Sequence, residues 1–178
     1  LGILNGFHQS IIAKMISKDF HVQLFDLKDS FFEYRDVKEA IERRFPGSRG
    51  FPYFEGAAIL SGPQVKLSAL IRGIPEDMSP FLSDYRMISG EWKISSTTVV
   101  LGSSLAAKLG VEAGEIVQIF VKPYENRKSA RELPLVSRKF KVAGIFQTGY
   151  EEIDANLVLM DFLKAGSLYD YGDRAWGM

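Results

Sequence analysis

Two stretches of this sequence carry side chains that could do chemistry. The first is Lys122–Lys141, KPYENRKSARELPLVSRKFK, where seven bases (Lys122, Arg127, Lys128, Arg131, Arg138, Lys139 and Lys141) face only Glu125 and Glu132. Its local net charge of +5 is balanced by −5 over the rest, because the whole chain is neutral. Bases mixed with Tyr124, Leu133, Pro134, Leu135 and Val136 have the parts of a docking arm. The apolar groups supply burial on contact and the charges steer an acidic partner. A solvated, flexible loop has the same composition; the length of the segment is what favours function. The second stretch is Glu151, Glu152 and Asp154, just after Gly149. Three carboxylates can hold a hard cation, but one short loop rarely completes the shell, and a solvated turn is the plainer reading.

Little else in the sequence is reactive. His8 and His21 lie on different elements without metal-ligand spacing and read as surface or packing residues. There is no Gly-rich loop ending in Gly-Lys-Ser/Thr, no G-x-G-x-x-G, no H-E-x-x-H and no G-x-S-x-G. The absence of cysteine excludes disulfides, thiolate metal sites and cysteine nucleophiles. No catalytic residue, metal ligand or cofactor site is expected. The 22 Lys and Arg against 22 Asp and Glu remove the usual electrostatic case for a nucleic-acid partner. With 178 residues, 46% of them hydrophobic, the chain has the size and composition of one globular domain, or of one with a small inserted lobe.

The elements that must position the basic segment follow from periodicity. Leu4, Phe7, Ile11, Met15, with Ile12 and Ile16, predict a helix to about Lys18, either a core face or the continuation of a membrane span upstream. His21 to Phe25 alternates as a strand. Asp36 is placed to cap a helix over Val37–Arg44 with Val37, Ala40 and Ile41 inward, ended by Phe45-Pro46-Gly47. Residues 51–60 and 64–73 flank Ser61-Gly62-Pro63 as a hairpin, with Lys66, Ser68, Leu70 and Arg72 on a largely polar face. A loop is expected from Pro75 to about Gly90. Thr97–Leu101 reads as a strand, Ser103–Leu109 as a helix with Gly110 as its C-cap, and Glu115–Val121 and Lys139–Phe146 as strands. Asn156–Met160 gives a last strand and a helix starts at Asp161. No stretch reaches the 18 or so apolar residues of a span. Both ends nevertheless read as cuts through a longer chain. The simplest topology is a β-rich lobe inserted into a small α/β layer, an α+β fold.

Val99-Val100-Leu101-Gly102-Ser103-Ser104-Leu105-Ala106-Ala107-Lys108-Leu109-Gly110-Val111-Glu112-Ala113-Gly114-Glu115 resembles the strand-Gly-helix-"LGV..GD" signature of the MacB-type ABC transporter permeases, with Glu115 where Asp is usual. Within the wider MacB/FtsX-type group, three further pieces are similar to the lipoprotein-releasing LolC/LolE permeases. These are Leu4-Asn5-Gly6-Phe7, Ile71-Arg72-Gly73-Ile74-Pro75 and the run from Phe140 to Asp154. The resemblance covers nearly the whole chain. It implies a MacB-like periplasmic domain with two lobes. An α/β lobe (Porter) would comprise residues 1–60 and 150–178, and an inserted β-rich lobe (Sabre) residues 61–149, with a long hairpin at 122–138.

The same resemblance implies a domain that is not an enzyme. Flanking membrane spans would anchor it in the bacterial inner membrane, on the periplasmic side, with ATP hydrolysis on a separate cytoplasmic subunit beside a second permease subunit. A protruding hairpin (Hook), falling on Pro123 to about Ser137, would capture a LolA-type periplasmic chaperone during lipoprotein release. The partner-binding residues implied are Gln118, Pro123, Tyr124, Arg127, Lys128, Arg131, Leu133, Pro134, Leu135 and Arg138, with Gln118 and Arg138 on a supporting Pad. The Hook departs from the family in being charged. The rival expectation is a MacB/FtsX-like permease domain that exports another cargo or signals mechanically to a periplasmic partner.

Overall fold

The computed structural model describes residues 22–26, 32–82, 85–123 and 135–178. The helix expected before Lys18, His8 and His21 lie outside them. Val22–Asp26 forms no strand, contrary to the alternation. Val22 is 73% exposed, so the segment has no buried face to hold a ladder.

Helix α1, Tyr34–Arg44, starts earlier than expected. Glu33 occupies its N-cap without a side-chain hydrogen bond, so Asp36 is not the cap. Asp36 lies in the first turn and Arg43 and Arg44 in the last, where each complements the helix dipole. No residue of α1 is fully buried; Val37 and Ile41 are half-buried and Ala40 is exposed.

Strands β1 (Phe54–Ser61) and β2 (Lys66–Ile74) form the expected antiparallel hairpin, from Phe54↔Gly73 to Ser61↔Lys66. Leu70 and Arg72 depart from expectation, since both are buried. The region expected as a loop from Pro75 holds a 3₁₀ turn at Glu76–Phe81 and strand β3, Arg86–Gly90. β3 is exposed along most of its length. It therefore lacks an apolar alternation and owes its form to its neighbour. Strand β4 (Thr98–Gly102) runs into helix α2 (Ser103–Leu109), which Gly110 closes in the left-handed conformation at φ 68°. Next come β5 (Ile116–Val121), β6 (Val136–Gln147), the single turn α3 (Glu151–Asp154) and β7 (Leu157–Asp161). Helix α4 (Phe162–Tyr169) follows, capped by the Asp161 side chain, which accepts the Lys164 N–H at 2.7 Å.

The seven-stranded sheet has the order β3-β6-β4-β7-β2-β1-β5, and β5 pairs back onto β6. Strands β6, β4, β7, β2, β1 and β5 thus form a closed ring, with β3 attached along β6. The ladder between β2 and β7 crosses the boundaries at which the two lobes were expected to divide. Inside, Leu60, Ile71, Val99, Val117, Phe140, Val142 and Val158 pack with α2 and α4 in one core. On the other face of β2, β4 and β7 a second cluster gathers Leu70, Ile74, Met78, Tyr85, Val100, Phe146 and Leu159. The middle of the sheet is therefore covered on both sides, which is why β7 reads as a continuous apolar run.

The last residues form a strip held on two flanks. Leu24 and Met178 exchange backbone hydrogen bonds at 2.9 and 3.2 Å, as do Phe32 and Ala175, each at 3.0 Å. Gly177 does the same with Tyr53 at 2.8 and 3.2 Å.

Candidate docking surface

The basic segment is mounted on the β5–β6 ladder, which runs from Ile116↔Lys141 to Val121↔Val136. Alternation sends Val117, Ile119 and Val121 into the ring and Ile116, Gln118 and Phe120 outward. Across the ladder Lys141, Lys139 and Ser137 share that outer face, and β1 continues it, with Ile59 opposite Phe120 and Ser61 opposite Gln118. Lys66 at the start of β2 places its Nζ 5.2 Å from the centre of the Phe120 ring. At an exposed site such a contact contributes about 0.5–1 kcal/mol. Gln118 Nε2 donates to Ser137 Oγ at 3.2 Å. The result, among the described residues, is a sheet face on which Lys66, Lys139 and Lys141 surround Ile59 (42% exposed), Ile116 (61%) and half-buried Phe120.

Residues 122–135 leave from the end of this ladder. β6 begins at Val136, so the hairpin connection is shorter than 122–138, and Ser137 and Arg138 belong to the strand. Pro123 is buried at the root and Leu135 is 63% exposed. Tyr124, Arg127, Lys128, Arg131, Leu133 and Pro134 lie outside the described residues. Gln118 and Arg138 are brought to neighbouring strands but not to one face. Arg138 stands opposite Ile119, on the inward phase of the ladder, and turns its Nη1 to the Ser137 carbonyl at 2.8 Å. Sequence reasoning missed Lys66, Ile59 and Phe120 as members of the surface. Cross-strand register unites them, and the only linear signal is that each carries the outward phase of its own strand.

The acidic group after Gly149 does structural work. The buried Asp154 carboxylate accepts the Thr148 N–H (2.8 Å), the Thr148 hydroxyl (2.9 Å) and the Gly149 N–H (3.2 Å), which fixes the turn leaving β6. Glu151 receives the Ser104 hydroxyl at 2.6 Å and Lys108 Nζ at 3.2 Å, joining α3 to α2. The Ser104 hydrogen bond and then Lys108 lower the Glu151 pKa below the ordinary glutamate range. Glu115, in the place of the usual Asp, accepts the Glu112 N–H at 2.8 Å and closes the turn before β5. Among the described residues no group of carboxylates and histidines could hold a metal ion.

A second charged centre lies on the buried side of the sheet. Glu55 and Arg72 face each other across β1–β2, with side-chain exposures of 0% and 2%. Arg72 Nε donates to Glu55 Oε1 at 2.8 Å, and Nη2 approaches the same oxygen at 2.7 Å without hydrogen-bond geometry. Burial works against the guanidinium charge, but Glu55 more than offsets it and the Arg72 pKa stays raised. Arg72 Nη1 and Glu55 Oε2 have no hydrogen-bond partner. Beside the pair, burial pushes the Tyr53 phenol upward.

This arrangement defines a class. The periplasmic region of MacB from Actinobacillus actinomycetemcomitans superposes with a TM-score of 0.55 at 14% identity, covering 88% of this chain and 64% of that one. The extracellular domain of the ABC-type transporter YknZ from Gram-positive bacteria gives 0.58 at 9% identity, covering 84% and 72%. The fold is α+β, that of the MacB-like periplasmic domains of ABC permeases. In sequence the chain is similar to the lipoprotein-releasing system transmembrane protein LolC of Neisseria meningitidis serogroup B, 25% identical over 183 aligned positions that cover all of this chain and 44% of that protein. LolC of Xylella fastidiosa is 25% identical over 170 positions, covering 90% and 40%. The chain thus spans less than half the length of the curated relatives it matches, and is a LolC-like sequence on a MacB-type periplasmic-domain fold. No family model matches it. No described helix is long and apolar enough to cross a membrane.

Proposed function

We propose that this chain is the periplasmic domain of an ABC permease that releases lipoproteins from the bacterial inner membrane and hands them to a LolA-type chaperone. The observation that carries the proposal is the outer face of β5, β6 and β1, where Lys66, Lys139 and Lys141 surround exposed Ile59 and Ile116 and half-buried Phe120, at the end of the ladder that residues 122–135 connect. An acidic rim on the chaperone would be steered by Lys66, Lys139, Lys141 and the bases of residues 122–135, and its apolar surface would cover Phe120 and Leu135. The domain makes and breaks no bond; it binds and transmits motion. ATP hydrolysis belongs to a cytoplasmic subunit, and a second permease subunit completes the transporter. In this reading residues 61–149 supply most of the docking surface, with Ile59 of β1 at its edge, and residues 1–60 with 150–178 form the lobe that meets the membrane.

The test is a titration of this chain with the LolA-type chaperone of the same organism, alongside a variant in which Arg127–Leu135 is replaced by a short Gly-Ser turn. Binding that vanishes with the segment and weakens with salt supports the proposal. Failure of both forms to bind overturns it. The likeness to MacB and YknZ supports the second reading, a permease domain for another cargo or for mechanical signalling, in which the segment is dispensable.

A further inference from the structure

The turn that ends α1 carries a second basic and apolar surface, far from the β5–β6 face in sequence. Arg43, Arg44 and Arg49 lie within Arg43-Arg44-Phe45-Pro46-Gly47-Ser48-Arg49, which holds no acid. Phe45 is 59% exposed, and the Arg44 guanidinium stands 5.5 Å from its ring centre. The turn is fixed. The Phe45 N–H closes on the Ile41 carbonyl at 2.8 Å, and the Phe45 carbonyl accepts both the Ser48 N–H (3.0 Å) and the Ser48 hydroxyl (2.7 Å). Gly47 supplies the left-handed residue at φ 94°. Among the described residues Arg43 and Arg44 form no ion pair, whereas Glu42 is already engaged by the Gly50 N–H at 3.2 Å and Lys38 at 4.0 Å.

Position gives this surface its meaning. A side chain at Gly50 would meet Met178 Sδ at 3.1 Å and Lys38 Cγ at 3.4 Å, so the turn abuts the terminal strip. That strip is paired to Leu24, beside exposed Val22 and Phe25. An exposed aromatic ring beside Arg43 and Arg44, neither of them in an ion pair among the described residues, matches a bilayer interface. The ring enters the headgroup layer and the guanidinium groups meet phosphates. We infer that the Arg43–Arg49 turn rests on a bilayer surface carrying anionic phospholipid. This inference rests on the proposed permease reading, in which both ends of this domain lead to the membrane.

The experiment is co-sedimentation of the full chain with vesicles of phosphatidylcholine alone and of equal parts phosphatidylcholine and phosphatidylglycerol. Binding to the anionic vesicles alone is expected, weakening about fivefold for each of Arg43→Ser and Arg44→Ser. Because the chain holds no cysteine, Phe45→Cys gives a single labelling site. An environment-sensitive dye there should shift to the blue with the anionic vesicles. Equal partition into both vesicle types, affinity unchanged by the arginine variants, or loss only in the variant lacking Arg127–Leu135 would overturn the inference. The chaperone titration separates the two proposals: chaperone binding retained by the arginine variants with vesicle binding lost supports both. Vesicle binding without any chaperone binding removes the docking proposal alone.

Discussion

Replacing Arg72 by Met should destabilise this fold strongly. The side chain is 2% exposed and its partner Glu55 is fully buried, so Arg72→Met strands a carboxylate that water cannot reach. Breaking a buried pair from one side costs about 3–5 kcal/mol. A domain has roughly 5–15 kcal/mol in all, and a chain of this length loses about 2–4 °C of Tm per kcal/mol. The expected drop in Tm is therefore roughly 6–20 °C. The pair itself is poorly repaid, because Arg72 Nη1 and Glu55 Oε2 lack hydrogen-bond partners. The double variant Glu55→Leu with Arg72→Met should consequently recover most of the loss, since apolar replacements of buried pairs are often neutral or better. Urea unfolding followed by far-ultraviolet circular dichroism measures Arg72→Met, Glu55→Leu and the double variant. A cost for Arg72→Met below about 1 kcal/mol would mean that water enters the site. A double variant as unstable as the sum of the singles would show that the two charges do not act as a pair.

Other consequences are as direct. A Cβ at Gly102 would strike the backbone of Asp154, so Gly102→Ala should destabilise by about 1–3 kcal/mol; an unchanged denaturation midpoint would refute the packing. Glu151 has a folded pKa below its unfolded one, so its contribution is complete above the ordinary glutamate range and is lost as pH falls through the depressed value. Carboxyl NMR titration should show the Glu151 midpoint rising in Ser104→Ala, and no rise would remove the hydroxyl as its cause. Asp154→Ala leaves three donors of the Thr148-Gly149 turn unsatisfied and should cost about 1–3 kcal/mol, read by thermal unfolding against wild type. Lys139→Glu with Lys141→Glu should weaken chaperone binding at low salt and flatten its salt dependence, and an unaltered salt profile would place docking elsewhere.

What was legible in the sequence was mostly local. Gly102, the helix after it and Gly110 are written in consecutive residues, and the structure has them where the spacing puts them. The β1–β2 hairpin was equally plain, yet its polar face was misread. Alternation assigns Arg72 to water, and only the second layer built by Met78, Tyr85 and Phe146 buries it. β3 was missed for the opposite reason: its pairing to β6 is set by backbone partners, while its side chains remain exposed. Asp36 looked like a cap because caps are recognised by residue type, whereas the start of α1 at Tyr34 is fixed by the Tyr34 ring packing on Phe162, 5.5 Å away, in α4. The docking surface was half legible. The charge of residues 122–141 is a linear signal, but Lys66 and Ile59 join it only through register across three strands.

The terminal strip has a mechanical consequence. Residues 175–178 run antiparallel to the segment they pair with, so Val22 and Met178 lie at the same end of that pairing. Tension that draws those two points apart loads the Leu24–Met178 bonds first and the Phe32–Ala175 bonds only afterwards, as a zipper opens. A pull applied to both segments in the same direction leaves the bonds between them almost unloaded, because the two move together, and is borne instead by the Gly177–Tyr53 bonds on the other flank, at the head of β1. The terminal strip thus yields easily on one flank when the two paired segments are drawn apart, and hands a common pull to the other flank.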